Sequence, residues 1–139
     1  MQNANQKTIS KSISFQGVGL HSGVNSNIKI IPAKENFGIK FCRTDIESNN
    51  LIEANYQNVV EPVLCTKIRN KNGTTVSTVE HLMAAFFGEG IDNVLVEIDS
   101  PEVPILDGSA SEFVEGIRSV GVTEQKALRT LLNLSTLVM

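Results

Sequence analysis

The chain has 139 residues, of which 41% are apolar and 19% charged, with a formal net charge of −3. That length suits one ordinary domain with a real core, and that composition excludes a disordered chain. Lys and Arg form no run, and six Phe, one Tyr and no Trp give no base-stacking platform, so nucleic acid is not an expected partner.

In chain order, residues 1–7 read as a polar lead. From Thr8 to Phe15 the apolar residues Ile9, Ile13 and Phe15 share one parity, which predicts a half-buried strand. Gly17-Val18-Gly19-Leu20-His21-Ser22-Gly23 follows as a Gly-rich loop. Strands are expected at Val24–Ile31, ended by Pro32, and at Gly38–Cys42. Ile46–Asn58 is polar and weakly patterned. Val63–Arg69 and Thr74–Val76 flank Asn70-Lys71-Asn72-Gly73, a hairpin connection. The period then changes. Val79, Leu82, Met83, Phe86 and Phe87 form the apolar stripe of a helix, with Ser77 as its N-cap, Glu80 completing a capping box and Gly88 or Gly90 at its end. Asn93–Ile98 alternates as a strand. A second helix is expected from Ser109, again with an acid three residues on at Glu112. It turns Phe113, Val114, Ile117 and Val120 inward and ends at Gly121. Residues 127–139 are Leu-rich with no end signal. This order predicts an α+β two-layer sandwich, a mixed or antiparallel sheet backed by two helices.

Few residue types here can carry chemistry. Cys42 and Cys65 form no C-x-x-C and no disulfide framework, which fits a reducing compartment. Residues 1–12 hold no apolar signal region and no apolar run reaches the length of a membrane span, so the expectation is a cytoplasmic protein. Each cysteine reads as a small hydrophobe in a strand, or else as a site-lining thiol or soft ligand. Asp107-Gly108-Ser109 reads as a turn and a helix cap. Gly17-x-Gly19 is only a fragment of a nucleotide loop. The informative pair is Glu80-His81. It is either a capping residue beside a surface histidine, or a general base beside a metal ligand at the mouth of a cleft. Spacing leaves both open, because there is no H-E-x-x-H and a catalytic zinc needs three protein ligands. The only other histidine, His21, lies in the Gly-rich loop.

Six segments in order carry a resemblance. They are Gly17–Gly23, Phe41-Cys42-Arg43-Thr44-Asp45, Leu64-Cys65-Thr66, Ser77–Leu82, Gly90-Ile91-Asp92-Asn93 and Pro104–Ala110. Over residues 8–126 they resemble the first half of the UDP-3-O-acyl-N-acetylglucosamine deacetylase family, zinc enzymes of lipid A synthesis. The resemblance implies two similar α+β domains with the active site between them. It implies that His81 is the first-domain zinc ligand, with a His and an Asp of a second domain completing the set. It further implies that Glu80 is the general base, that Leu64 and Cys65 line the site, and that His21 is a near-site candidate. The substrate implied is UDP-3-O-acyl-N-acetylglucosamine.

Residues 128–139 depart from the family pattern and read as a truncation or frameshift. The expectation is therefore a first domain with little activity alone, with a helix face open to self-association. The alternatives are a non-catalytic binding or assembly module and a decayed gene fragment.

Overall fold

The computed structural model describes residues 4–60 and 65–129. Among them, the chain forms β1 (Asn5–Ile9), β2 (Ile13–Val18), β3 (Asn25–Pro32), β4 (Ile39–Arg43), β5 (Leu51–Glu53), β6 (Val59–Val60), β7 (Lys67–Arg69) and β8 (Thr75–Ser77). Then follow helix α1 (Glu80–Gly88), β9 (Val94–Ile98), helix α2 (Ser111–Val120) and β10 (Val122–Leu128). A short 3-10 turn covers Tyr56–Asn58.

The main sheet has the order β2-β3-β9-β4-β5. Its pairings are antiparallel except for β4 beside β9, which is parallel. Alternation sets its inner face. Ile28 and Ile30, Phe41, Ile52, and Val94, Val96 and Ile98 are buried, and register places Ile28 opposite Ile98 and Phe41 opposite Val96. Leu82, Ala85 and Phe86 of α1 and Phe113 and Ile117 of α2 complete this core at 0% exposure. The architecture is the expected α+β sandwich. Two smaller sheets flank it: β1 with β10, and β6-β7-β8.

Both helices pack on the sheet and on each other. The Phe15 and Phe113 rings meet edge to face at 5.0 Å, and Arg118 donates two hydrogen bonds to the Glu89 carboxylate at 2.9 and 3.1 Å. A Cβ at Gly116 would stand 2.5 Å from Phe15 Cζ and 2.7 Å from Ile13 Cδ1, so a larger residue there would force the Phe15 and Ile13 side chains to shift.

Two polar hubs join the pieces. Asn93, 1% exposed, donates to Gln6 and Gln125 and accepts from the Gly38 amide, tying the β1–β10 ribbon to the main sheet. Beside it, Asp92 accepts from the Lys7 amide and from Arg129 at 2.7 and 2.9 Å. Arg43, 9% exposed, grips Asp45 through two nitrogens and donates to the Thr75 carbonyl, fastening β4 to β8.

Several expectations change. The single strand over Thr8–Phe15 is two strands, because Ile9 pairs with β10 while Ile13 and Phe15 pair with β3. Asn5–Lys7, expected in a polar lead, are strand, and Gln6 is 2% exposed because it serves the Asn93 hub. Phe87 does not join the core; it is 50% exposed while its neighbour Phe86 is at 0%. No helix among the described residues is long and apolar enough to cross a membrane. Leu64 and the tail beyond residue 129 lie outside the described residues.

The Gly116 approach makes a direct prediction. Gly116→Val should cost about 1–3 kcal/mol through overpacking against Phe15, more than any gain in helix propensity returns. Urea unfolding should show a lower midpoint with an unchanged slope.

Candidate active site

Glu80 and His81 are the first two residues of α1, both half-buried. The approach to this helix is not the expected capping box. Ser77 is consumed as strand: its amide donates to the Pro101 carbonyl at 2.8 Å and its carbonyl accepts from Val103 at 3.1 Å. The N-cap position falls on Val79 with no side-chain cap. Thr78 takes φ +59°, a left-handed conformation costly for a β-branched residue, and this reverses the chain between β8 and α1.

The helix start is held instead by Thr66. Its carbonyl accepts from the Thr78 and Val79 amides at 2.8 and 3.3 Å, and its own amide donates to Glu80 Oε1 at 3.3 Å. Cys65, the residue before it, is therefore brought next to the Glu80 carboxylate. Cys65 is a half-buried bend residue with a free thiol, not a buried strand position. Cys42 lies in β4, on the sheet face away from the helices, also free.

Sequence reasoning missed Glu102. It is 2% exposed, and its carboxylate accepts from the Ser22 amide at 2.8 Å, the His21 amide at 3.1 and 3.2 Å and the Thr78 hydroxyl. One side chain thus joins the Gly-rich loop to the turn that opens α1. A Cβ on Gly19 would fall 2.2 Å from Glu102 Oε1, which explains the second glycine of that loop. No spacing rule links positions 21, 78 and 102; only a hydrophilic residue between Pro101 and the apolar pair Val103-Pro104 could have drawn notice. Burial alone would raise the Glu102 carboxyl. The Thr78 hydroxyl and the Ser22 and His21 amides outweigh it and hold the carboxyl below its ordinary value.

Asp107 accepts from the Ser109 amide and hydroxyl, both at 3.0 Å, and Ser109 Oγ accepts from the Ser111 amide at 3.2 Å. These bonds build the turn before α2, so this Asp and Ser are spent on structure, and α2 begins at Ser111 rather than at Ser109.

As a metal donor, His81 has suitable chemistry and exposure. Among the described residues, however, no group of three or more His, Cys, Asp or Glu converges to hold an ion. The set they offer is incomplete for a catalytic zinc.

Residues 6–139 match the family LpxC, UDP-3-O-acyl N-acetylglycosamine deacetylase. The chain is 46% identical over 129 residues to the UDP-3-O-acyl-N-acetylglucosamine deacetylase of Shewanella woodyi, and 44% identical over the same length to that of Pasteurella multocida. A Shewanella sp. relative (strain W3-18-1) of the same name is 45% identical. Each match covers 93% of this chain and 42% of the relative, so the chain spans less than half the length of these proteins. This α+β domain, with an acid–histidine pair opening its first helix, belongs to the UDP-3-O-acyl-N-acetylglucosamine deacetylase family.

Glu102 generates a pH prediction. Its folded-state pKa lies below its unfolded value near 4.5, so the unfolded chain binds the extra proton. Its contribution is present above that pH and is lost as pH falls through the folded value. Glu102→Gln should therefore be clearly less stable than the parent at pH 7, and the gap should narrow steadily in denaturant titrations below about pH 4.5. A gap that widens on acidification would contradict the assignment.

Proposed function

We propose that this domain supplies the general base and one metal donor for zinc-dependent hydrolysis of the N-acetyl group of UDP-3-O-acyl-N-acetylglucosamine, a cytoplasmic step of lipid A synthesis. The observation that carries the reading is Glu80 beside His81 on the first turn of α1, in a chain about 45% identical to enzymes of that name. His81 would hold the ion, and the other ligands would come from outside the described residues. A zinc ion there would supply Lewis acidity to the acetamide carbonyl and acidify the attacking water.

The chain's own residues then do the following. Glu80 accepts the water's proton as the oxygen attacks, with its carboxylate kept in place by the Thr66 amide. Cys65 is proposed to line the approach; Leu64, outside the described residues, takes the same role by the family resemblance alone. His21 sits on an exposed loop tied to the same helix start and is proposed to face the substrate. The chain alone should turn over substrate poorly, because a single histidine does not define a zinc site. Self-association through the helix layer would use Phe87, the large apolar side chain that α1 leaves open.

The test is a chimera in which this chain replaces the matched segment of the Pasteurella multocida relative. It should release acetate from UDP-3-O-acyl-N-acetylglucosamine. Glu80→Gln within it should lower kcat by about 10²- to 10⁴-fold, the range for loss of a positioned acid–base group, with little change in folding. A folded chimera without turnover, or one indifferent to Glu80→Gln, would defeat the proposal.

A further inference from the structure

We infer that Glu102 is a positioning residue whose buried carboxylate fastens the His21 loop to the Glu80–His81 helix start, holding the chain's two histidines in one fixed relation. The inference rests on the reading of Glu80 and His81 proposed above.

Four observations converge. Glu102 is 2% exposed, and among the described residues no cation pairs with it. A carboxylate buried in that way must be satisfied by hydrogen-bond donors. Its donors come from two separate segments, the His21 and Ser22 amides and the Thr78 hydroxyl. Its own backbone is clamped, since Val103 and Pro101 bond to Ser77 and the Ser100 hydroxyl donates to the Glu102 carbonyl at 3.0 Å. Thr78 accepts a positive φ at the position that aims its hydroxyl inward, which is the kind of local strain that surrounding structure must hold in place. From Thr78 the chain runs directly into Glu80 and His81.

A residue with only a general stabilising role would lower the unfolding midpoint and leave the histidines alone. Positioning makes a sharper prediction, and the two histidines give resolvable ring signals in NMR spectra of the full 139-residue chain. In Glu102→Gln the His21 and Ser22 amides should exchange with solvent about tenfold faster or more, the size expected when bonds to a charged acceptor are lost. The His81 ring signal should also shift, while the amides of Ile28 and Val96 speed up by no more than the loss of global stability requires. Thr78→Val, which removes only the hydroxyl, should likewise move the His21 amide and the His81 ring; Thr78→Ser should restore both. If Glu102→Gln does not fold, the Thr78 pair decides the matter alone.

A His81 ring unmoved by these substitutions, Thr78→Ser behaving like Thr78→Val, or faster exchange spread evenly to Ile28 and Val96 would each overturn the inference. Zinc content of the deacetylase chimera, with and without His81→Gln, separates the two readings. Equal zinc in the two counts against His81 as metal donor, while the clamp is still judged by the exchange rates in the 139-residue chain.

Discussion

Burying the Glu102 carboxylate imposes the strictest local condition in this fold. Among the described residues no cation stands beside this anion, so it needs hydrogen-bond donors, and they come from two segments far apart in sequence. To supply them, the Gly-rich loop must come close enough that Gly19 can bear no side chain, and Thr78 must turn through a left-handed conformation. That turn sets where α1 begins. The helix start then seats on Thr66, which brings Cys65 and the Glu80 carboxylate together. The arrangement of the candidate site is in this sense a consequence of one satisfied charge.

The remaining family-like segments have structural work that spacing does not reveal. Asp92 and Asn93 bind the β1–β10 ribbon to the sheet through the Lys7 amide, Gln6 and Gln125. Arg43 ties β4 to β8 through its bond to the Thr75 carbonyl; Asp45 orients it through a bidentate pair, and the arginine holds the Asp45 carboxyl below its ordinary value. Asp107 and Ser109 form the turn into α2. Among the described acid- and histidine-bearing segments, Glu80, His81 and the exposed His21 keep side chains without a demanding structural task, apart from one long bond from Thr66 to Glu80. That contrast supports reading them as chemical groups.

How much of this was legible follows from the range of each signal. The strands Asn25–Pro32 and Val94–Ile98 and the inward faces of both helices, Phe87 excepted, could be read from alternation and helical period, because one buried face controls most residues in them. The start of α1 could not. Ser77 and Glu80 have capping-box spacing, but the Ser77 backbone is already engaged with Pro101 and Val103, and a local rule cannot see a partner 24 residues away. The break between Ile9 and Ile13 was hidden because parity happened to continue across it, although the two residues belong to different sheets. Gly116 carries no local signal of the Phe15 and Ile13 side chains that lie against it. Within the candidate site, Glu80 and His81 were visible as a pair, Cys65 as a neighbour and His21 as a loop residue. Glu102, which joins them, left no local pattern at all.

The central claim is that His81 is a metal donor in a site completed by residues outside those described. Zinc content and X-ray absorption of the deacetylase chimera, with and without His81→Gln, test it most directly. The account predicts bound zinc with imidazole nitrogen at about 2.0–2.1 Å in the parent, and zinc largely lost in the variant. Equal zinc content and an unchanged absorption spectrum in the two proteins would contradict it.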